Sequence, residues 1–121
     1  MTITIPLPEK ISLNRIYAGV HWTKRKAWAD SYHLAVLVAA RQSQISPFSG
    51  PYPCRVEYRF KLRGKTPDAS NLAFMQKLTE DGLVSSGVLP DDSPQYVEAV
   101  TLVTGKGDDV VEVTIASSSI L

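Results

Sequence analysis

Two short acidic segments, residues 66–72 and 89–94, hold the side chains best suited to chemistry. The first contains Asp68 and the second contains Asp91 and Asp92, each beside prolines. Prolines and short carboxylates take the backbone out of regular structure, where aspartate side chains can converge on a divalent cation. The pattern predicts a metal site, with common Asp-Pro turns as the alternative for each segment taken alone.

Charge repulsion between the two segments would favour a bound cation. Carboxylates about 4 Å apart repel by roughly 4 kcal/mol at an effective dielectric constant of 20. A fold accepts this only with a metal, a proton or a basic partner. Asp68 and Asp92 are the predicted ligands, because adjacent side chains in an extended chain diverge and Asp91 would then point away.

Charge is distributed unevenly along the chain, although the net charge is only +1. Residues 1–66 carry eleven Lys and Arg against three acids, and residues 67–121 carry two against nine. A basic surface beside an acidic site suits a metal-dependent enzyme that acts on a polyanion. The alternative is that the two halves of one domain neutralise each other.

Length and composition predict one globular domain over residues 1–121. The single cysteine, Cys54, excludes an internal disulfide and fits a reducing cytoplasm, where we expect it to be a small strand residue. Prolines and charges interrupt the N-terminus, and no apolar run approaches the ~20 residues of a membrane span. We therefore expect a soluble, intracellular protein with no membrane partner.

The elements that would position these residues follow from periodicity and turn signals. They predict an α+β fold with a mixed or antiparallel sheet of about four strands and two helices, in the order β-α-β-α-β-β. Residues 8–23 are expected to be irregular, and the last two strands are expected to form a hairpin across residues 105–109. The predicted elements are strands 2–7, 54–63, 96–104 and 110–115, a helix from Thr23 to about Gln42, and a helix between the acidic segments.

The strand at residues 54–63 has the clearest alternation, with an apolar face opposite a mostly cationic face. An ordinary half-exposed strand and a nucleic-acid surface both remain open for it. The helix between the acidic segments also has two faces. Leu72, Met75, Thr79 and Leu83 should pack on the sheet, and Ser70, Lys77 and Asp81 share the opposite face. That polar face either points to the site or is solvated with a Lys77–Asp81 pair, and solvation suffices for Glu80.

Two stretches carry a resemblance to a known family. The first is Asp68-Ala-Ser-Asn71-Leu72, a helix with Lys77 and Asp81, and then Gly-Val-Leu-Pro-Asp-Asp-Ser from residue 87. It resembles the core of the RusA family of Holliday junction resolvases, crossover junction endodeoxyribonucleases common in phages and prophages. The second, Ser-Leu-Asn-Arg-Ile-Tyr from residue 12 followed by His-Trp-Thr-Lys-Arg-Lys from residue 21, resembles the opening of that family. The likeness covers nearly the whole chain, in order.

The resemblance implies a homodimeric α+β endonuclease that resolves four-way or other branched DNA junctions in recombination and repair. It implies Mg²⁺, with Mn²⁺ as a substitute, and the cytoplasm of a bacterial or phage-infected cell. Asp68 and Asp92 match the family's catalytic aspartates, and Lys77 matches its helix lysine after an insertion of about three residues. The implied metal ligands are Asp68, Asp92, Asp91 and Ser70.

Ser70 departs from the family, because it stands where a further aspartate is expected. Mg²⁺ often uses one or two protein carboxylates, so two aspartates can suffice. The alternative is a branched-DNA-binding protein without nuclease activity, and a small structural or regulatory protein is a third class. The residues expected to contact DNA are Asn14, Arg15, Lys24, Arg25, Lys26 and Lys65. His21 is expected to be structural or to contact phosphate, and Trp22 and Trp28 are expected in the core.

Overall fold

Four strands form one mixed sheet in the order β1-β4-β2-β3. The computed structural model describes residues 1–118. The strands are β1 (Thr2–Pro6), β2 (Cys54–Leu62), β3 (Val97–Lys106) and β4 (Val110–Ser117). The helices are α1 (Leu13–Tyr17), α2 (Trp22–Gln42) and α3 (Ala73–Ser85), with a 3₁₀ turn at Ala69–Leu72 leading into α3. The predicted α+β fold with a four-stranded sheet is confirmed, with α1 as an additional short helix.

Strand β2 lies inside the sheet, antiparallel to β4 and parallel to β3. Its alternation is borne out, because Val56, Tyr58 and Phe60 are buried while Arg55 is exposed. Cys54 is buried in the same row, as expected of a small strand residue. The row faces a core that the helices complete through side chains such as Tyr32.

The region between β1 and β2 is more ordered than predicted. Ser12 caps α1 by accepting a hydrogen bond from the Arg15 amide at 3.3 Å. His21 caps α2, its Nδ1 accepting from the Thr23 amide at 3.2 Å. The expectation of an irregular stretch is therefore wrong over α1, and α2 begins before Thr23, because two side-chain caps satisfy the free helix amides.

Helix α3 connects the parallel strands β2 and β3. Leu72, Met75, Thr79 and Leu83 are all buried, so the apolar face predicted from the helix wheel is confirmed. Gly82 lets α3 approach α2 closely, since a Cβ there would lie 2.8 Å from Val36 Cγ2. The position of α3 is thus set by its packing on both the sheet and α2.

The predicted β3–β4 hairpin is wrong, because β2 lies between the two strands. The connection crosses the end of β2, where the Gly107 amide donates to the Leu62 carbonyl at 3.1 Å. A Cβ on Gly107 would lie 2.5 Å from Lys61 Cβ, so only glycine fits at the crossing. Asp108 and Asp109 are turn residues here, as expected.

Within residues 1–118, no helix combines the length and the apolar character that a bilayer-spanning segment requires.

Candidate functional site

Lys77 stands at the centre of three carboxylates, a group we call the Lys77 cluster. Its Nζ lies 2.6 Å from Asp92 Oδ2, 3.2 Å from Asp81 Oδ1 and 3.6 Å from Glu80 Oε1. The hydrogen bond to Asp92 raises the pKa of Lys77, and the same bond lowers the pKa of Asp92. Of the predicted catalytic residues, the structure therefore brings Lys77 and Asp92 together. The Lys77 ammonium is the cation that the carboxylates surround.

Glu80 differs most from expectation, because it is buried with only 7% of its surface exposed. Its Oε2 accepts hydrogen bonds from the Tyr58 hydroxyl and the Gln76 amide, both at 3.3 Å. Burial raises the pKa of Glu80, and Lys77 opposes that shift. The prediction of a solvated Glu80 is wrong, since its buried carboxyl group accepts a hydrogen bond from Tyr58 on the buried face of β2.

Asp68 lies in an open depression in front of the 3₁₀ turn. Its side chain is exposed and makes no capping hydrogen bond, although its carbonyl accepts from the Asn71 amide at 2.9 Å. Within residues 1–118 its carboxylate has no hydrogen-bonding or ionic partner. Lys65, Pro67 and Asn71 line the same depression of about 320 Å³.

A second depression of about 280 Å³ adjoins the first, because Lys65, Pro67 and Asn71 line both. Lys10, Ser12 and Arg15 form its other wall. We call the combined depression the Asp68 cleft. Arg15 of α1, one of the predicted DNA contacts, thus lies against the predicted site.

Glu9 organises this side of the cleft, a role that sequence reasoning missed. Its Oε2 accepts hydrogen bonds from Arg15 Nη1 and Trp28 Nε1, both at 2.9 Å. The Arg15 guanidinium lies 4.8 Å from the Trp28 ring centroid and the Lys24 ammonium lies 5.4 Å from it. These contacts join residues up to 19 positions apart, so no local pattern signals them.

The predicted metal ligands have different surroundings. Ser70 and Asp91 are exposed, and Asp92 is held by Lys77. Over residues 1–118, no group of three or more His, Cys, Asp or Glu side chains is arranged to hold a metal ion. The unpaired Asp68 carboxylate suits Mg²⁺, which binds few protein ligands, and its sharing of that ion with Asp92 stays a prediction.

The cationic face of β2 is neutralised by neighbouring acids. Arg55 pairs with Glu98 at 3.2 Å, and Lys61 pairs with Glu112 at 2.9 Å. Two longer pairs continue the row, Arg59–Glu57 at 3.5 Å and Arg63–Asp108 at 3.6 Å. Of the two interpretations of this strand, the pairing favours an ordinary half-exposed sheet surface.

The remaining predicted DNA contacts lie near the start of α2. Lys24 reaches Glu9 at 4.0 Å and Lys26 pairs with Asp30 at 2.9 Å. Arg25, like Lys65 in the cleft, has no acidic partner within residues 1–118. These two are therefore the predicted contacts most available to an external phosphate.

The two tryptophans have opposite environments. Trp28 is buried, as expected, with 3% of its surface exposed. Trp22 is 67% exposed, so its assignment to the core is wrong. It is the first residue of α2 and points outward beside His21, with ring centroids 5.7 Å apart.

A search against protein-family models and a search of curated proteins find no match to this chain.

Proposed function

We infer that this protein is a Mg²⁺-dependent endonuclease that resolves four-way or other branched DNA junctions, as a homodimer. The observation that carries the proposal is the Asp68 cleft, where an unpaired carboxylate lies beside cationic side chains. The RusA-like order of residues supports the same reading.

The charges of the cleft support the proposal that it binds phosphate. Lys65 has no acidic partner within residues 1–118, whereas Lys10 and Arg15 on the adjoining wall pair with Asp109 at 3.4 Å and Glu9 at 2.9 Å. Lysine and arginine contacts to phosphate position a DNA backbone without reading its sequence. Asn14 in α1 and the basic residues at the start of α2 would make further contacts along the DNA backbone.

Metal binding is assigned to Asp68, with Asp92 as its predicted partner. A bound Mg²⁺ would polarise the scissile phosphate and lower the pKa of an attacking water. Lys65 would neutralise charge on the same phosphate. Asp92 could bind the metal through Oδ1 while its Oδ2 stays 2.6 Å from the Lys77 ammonium, or it could leave Lys77. Release of Lys77 would then free a second cation for the substrate.

The direct test is incubation of purified protein with a synthetic four-way junction, with and without Mg²⁺ or Mn²⁺. Metal-dependent cleavage that Asp68→Asn abolishes supports the proposal. Asp108→Asn is the matched control, because Asp108 is an exposed aspartate in the β3–β4 connection. Absence of cleavage by the wild-type protein with either metal would rule out the nuclease assignment.

A second candidate is a branched-DNA-binding protein without nuclease activity. The Lys77 cluster favours it, because Lys77 already supplies a cation to Asp92 and its neighbours without any metal. The departure at Ser70 points the same way. Tight binding of the junction without cleavage, unchanged in Asp68→Asn, would establish this candidate.

A further inference from the structure

Two aromatic side chains near the start of α2 are more exposed than a core role permits. Tyr17, the last residue of α1, has 77% of its surface exposed, and Trp22 has 67%. The four residues between them form the turn from α1 to α2, where Gly19 takes a φ of +95°. Neither ring is used by the site described above.

Cationic side chains surround this pair in the chain. Lys24, Arg25 and Lys26 follow Trp22 directly, and all three are exposed. Neither α1 nor α2 has an acidic residue in its first turn. We call Tyr17, Trp22 and these three cations the patch; it is aromatic and cationic together, with Lys24 and Lys26 also contacting Glu9 and Asp30. It follows Arg15 of the Asp68 cleft along the chain.

We propose that Tyr17 and Trp22 form a stacking platform for unpaired bases of a DNA strand whose backbone the adjacent cations hold. Aromatic faces beside cations are the combination that binds single-stranded nucleic acid without sequence preference. Paired bases are stacked on their neighbours, so the platform selects the open bases found where strands of a junction separate. The occupant is a nucleic acid because the patch is cationic, and the inference rests on the proposed DNA function.

Tryptophan fluorescence gives a direct test, because the chain has two tryptophans and Trp28 is buried. Titration of the full-length protein with a short single-stranded oligothymidylate, without metal, should quench the emission. Trp22→Phe should lose most of that quenching while retaining most of the affinity, since a ring remains. Trp22→Ala and Tyr17→Ala should each bind roughly 5- to 150-fold more weakly.

Leu34→Ala is the matched control, because Leu34 is an exposed apolar residue elsewhere on α2 at 60% exposure. Its affinity for the oligonucleotide should equal that of the wild-type protein. A blunt duplex should lose much less affinity than the oligonucleotide in Trp22→Ala. Circular dichroism of each variant separates lost folding from lost stacking.

Unchanged affinity and quenching in folded Trp22→Ala would overturn the proposal. So would a fall in oligomeric mass in that variant with unchanged oligonucleotide affinity, because the patch would then bind a second copy of the chain. The test is independent of cleavage: quenching without any nuclease activity would defeat the enzyme assignment alone. Quenching should also persist in Asp68→Asn.

Discussion

The Lys77 cluster and the Asp68 cleft contain the two halves of one predicted site in opposite electrostatic states. In the cluster, three carboxylates surround a lysine, and one of them is buried. In the cleft, a carboxylate and Lys65 both lack ionic partners within residues 1–118. The difference shows that acidic segments in a sequence predict a nearby cation. They do not specify whether that cation is a bound metal ion or a lysine of the same chain.

The largest expected effect tests whether the two regions act together. In the proposed nuclease, Asp92→Asn should reduce metal-dependent junction cleavage at least about 100-fold, since even outer partners of metal ligands contribute 10- to 100-fold. Asp81→Asn is the control within the cluster and should change the rate by only a few fold. Equal rates for Asp92→Asn and the wild-type protein, in a timed gel assay, would separate the cluster from catalysis.

Lys77→Met tests how much the lysine of the cluster contributes to the stability of the fold. Glu80, Asp81 and Asp92 would then repel one another, so we expect a loss of about 1–2 kcal/mol in unfolding free energy. Mg²⁺ should restore part of it, seen as a rise in Tm that the wild-type protein lacks. Lys26→Met, which breaks the exposed pair with Asp30, should cost less than about 0.5 kcal/mol. Equal losses in both variants would show that the cluster is an ordinary surface network.

Lys65→Gln extends the contrast to paired and unpaired cations. We expect it to weaken DNA binding and to lower the slope of log affinity against log salt by about one. Arg59→Gln removes a cation already paired with Glu57 and should leave the slope unchanged. A titration of junction binding at several salt concentrations checks both, and identical slopes would contradict the role of the cleft.

The smallest effect is in the pH dependence of stability. Burial raises the folded-state pKa of Glu80 above its ordinary value of 4.5, so the folded state binds the proton more tightly than the unfolded state. The contribution of Glu80 to stability is then fully present below pH 4.5 and declines as pH rises through the folded-state pKa.

Glu80→Gln should remove that decline, and urea denaturation between pH 4 and 8 would measure the flatter profile. Glu57→Gln on the half-exposed face of β2 is the control and should keep the wild-type profile. A wild-type pH profile of stability in Glu80→Gln would show that Glu80 does not cause the decline.

Local periodicity was enough to predict most of the fold. The alternation in β2 and the wheel of α3 correctly identified Phe60 and Leu83 as core residues, because each pattern reports one buried face. The β3–β4 hairpin failed, since the packing of α3 places β3 beside β2 and local turn signals do not report strand order. Gly107 fits a hairpin turn and a strand crossing equally well.

The candidate site was less predictable, because its contacts join distant positions. Asp92 and Lys77 are 15 residues apart, and the Tyr58–Glu80 contact spans 22. Trp22 looked like a core residue by type alone, and its exposure follows from where α2 begins. Residue types indicated the chemistry, while the pairing of charges depended on the tertiary arrangement.

Strand β1 has a consequence for the order of folding. Its neighbour in the sheet is β4, and their register pairs Thr2 with Thr114. During synthesis β1 must therefore wait until β4, more than 100 residues later, has been made before it can dock. The β2–α3–β3 unit can assemble earlier, so β1 joins a nearly finished sheet, and closing that long loop is an entropic barrier to folding.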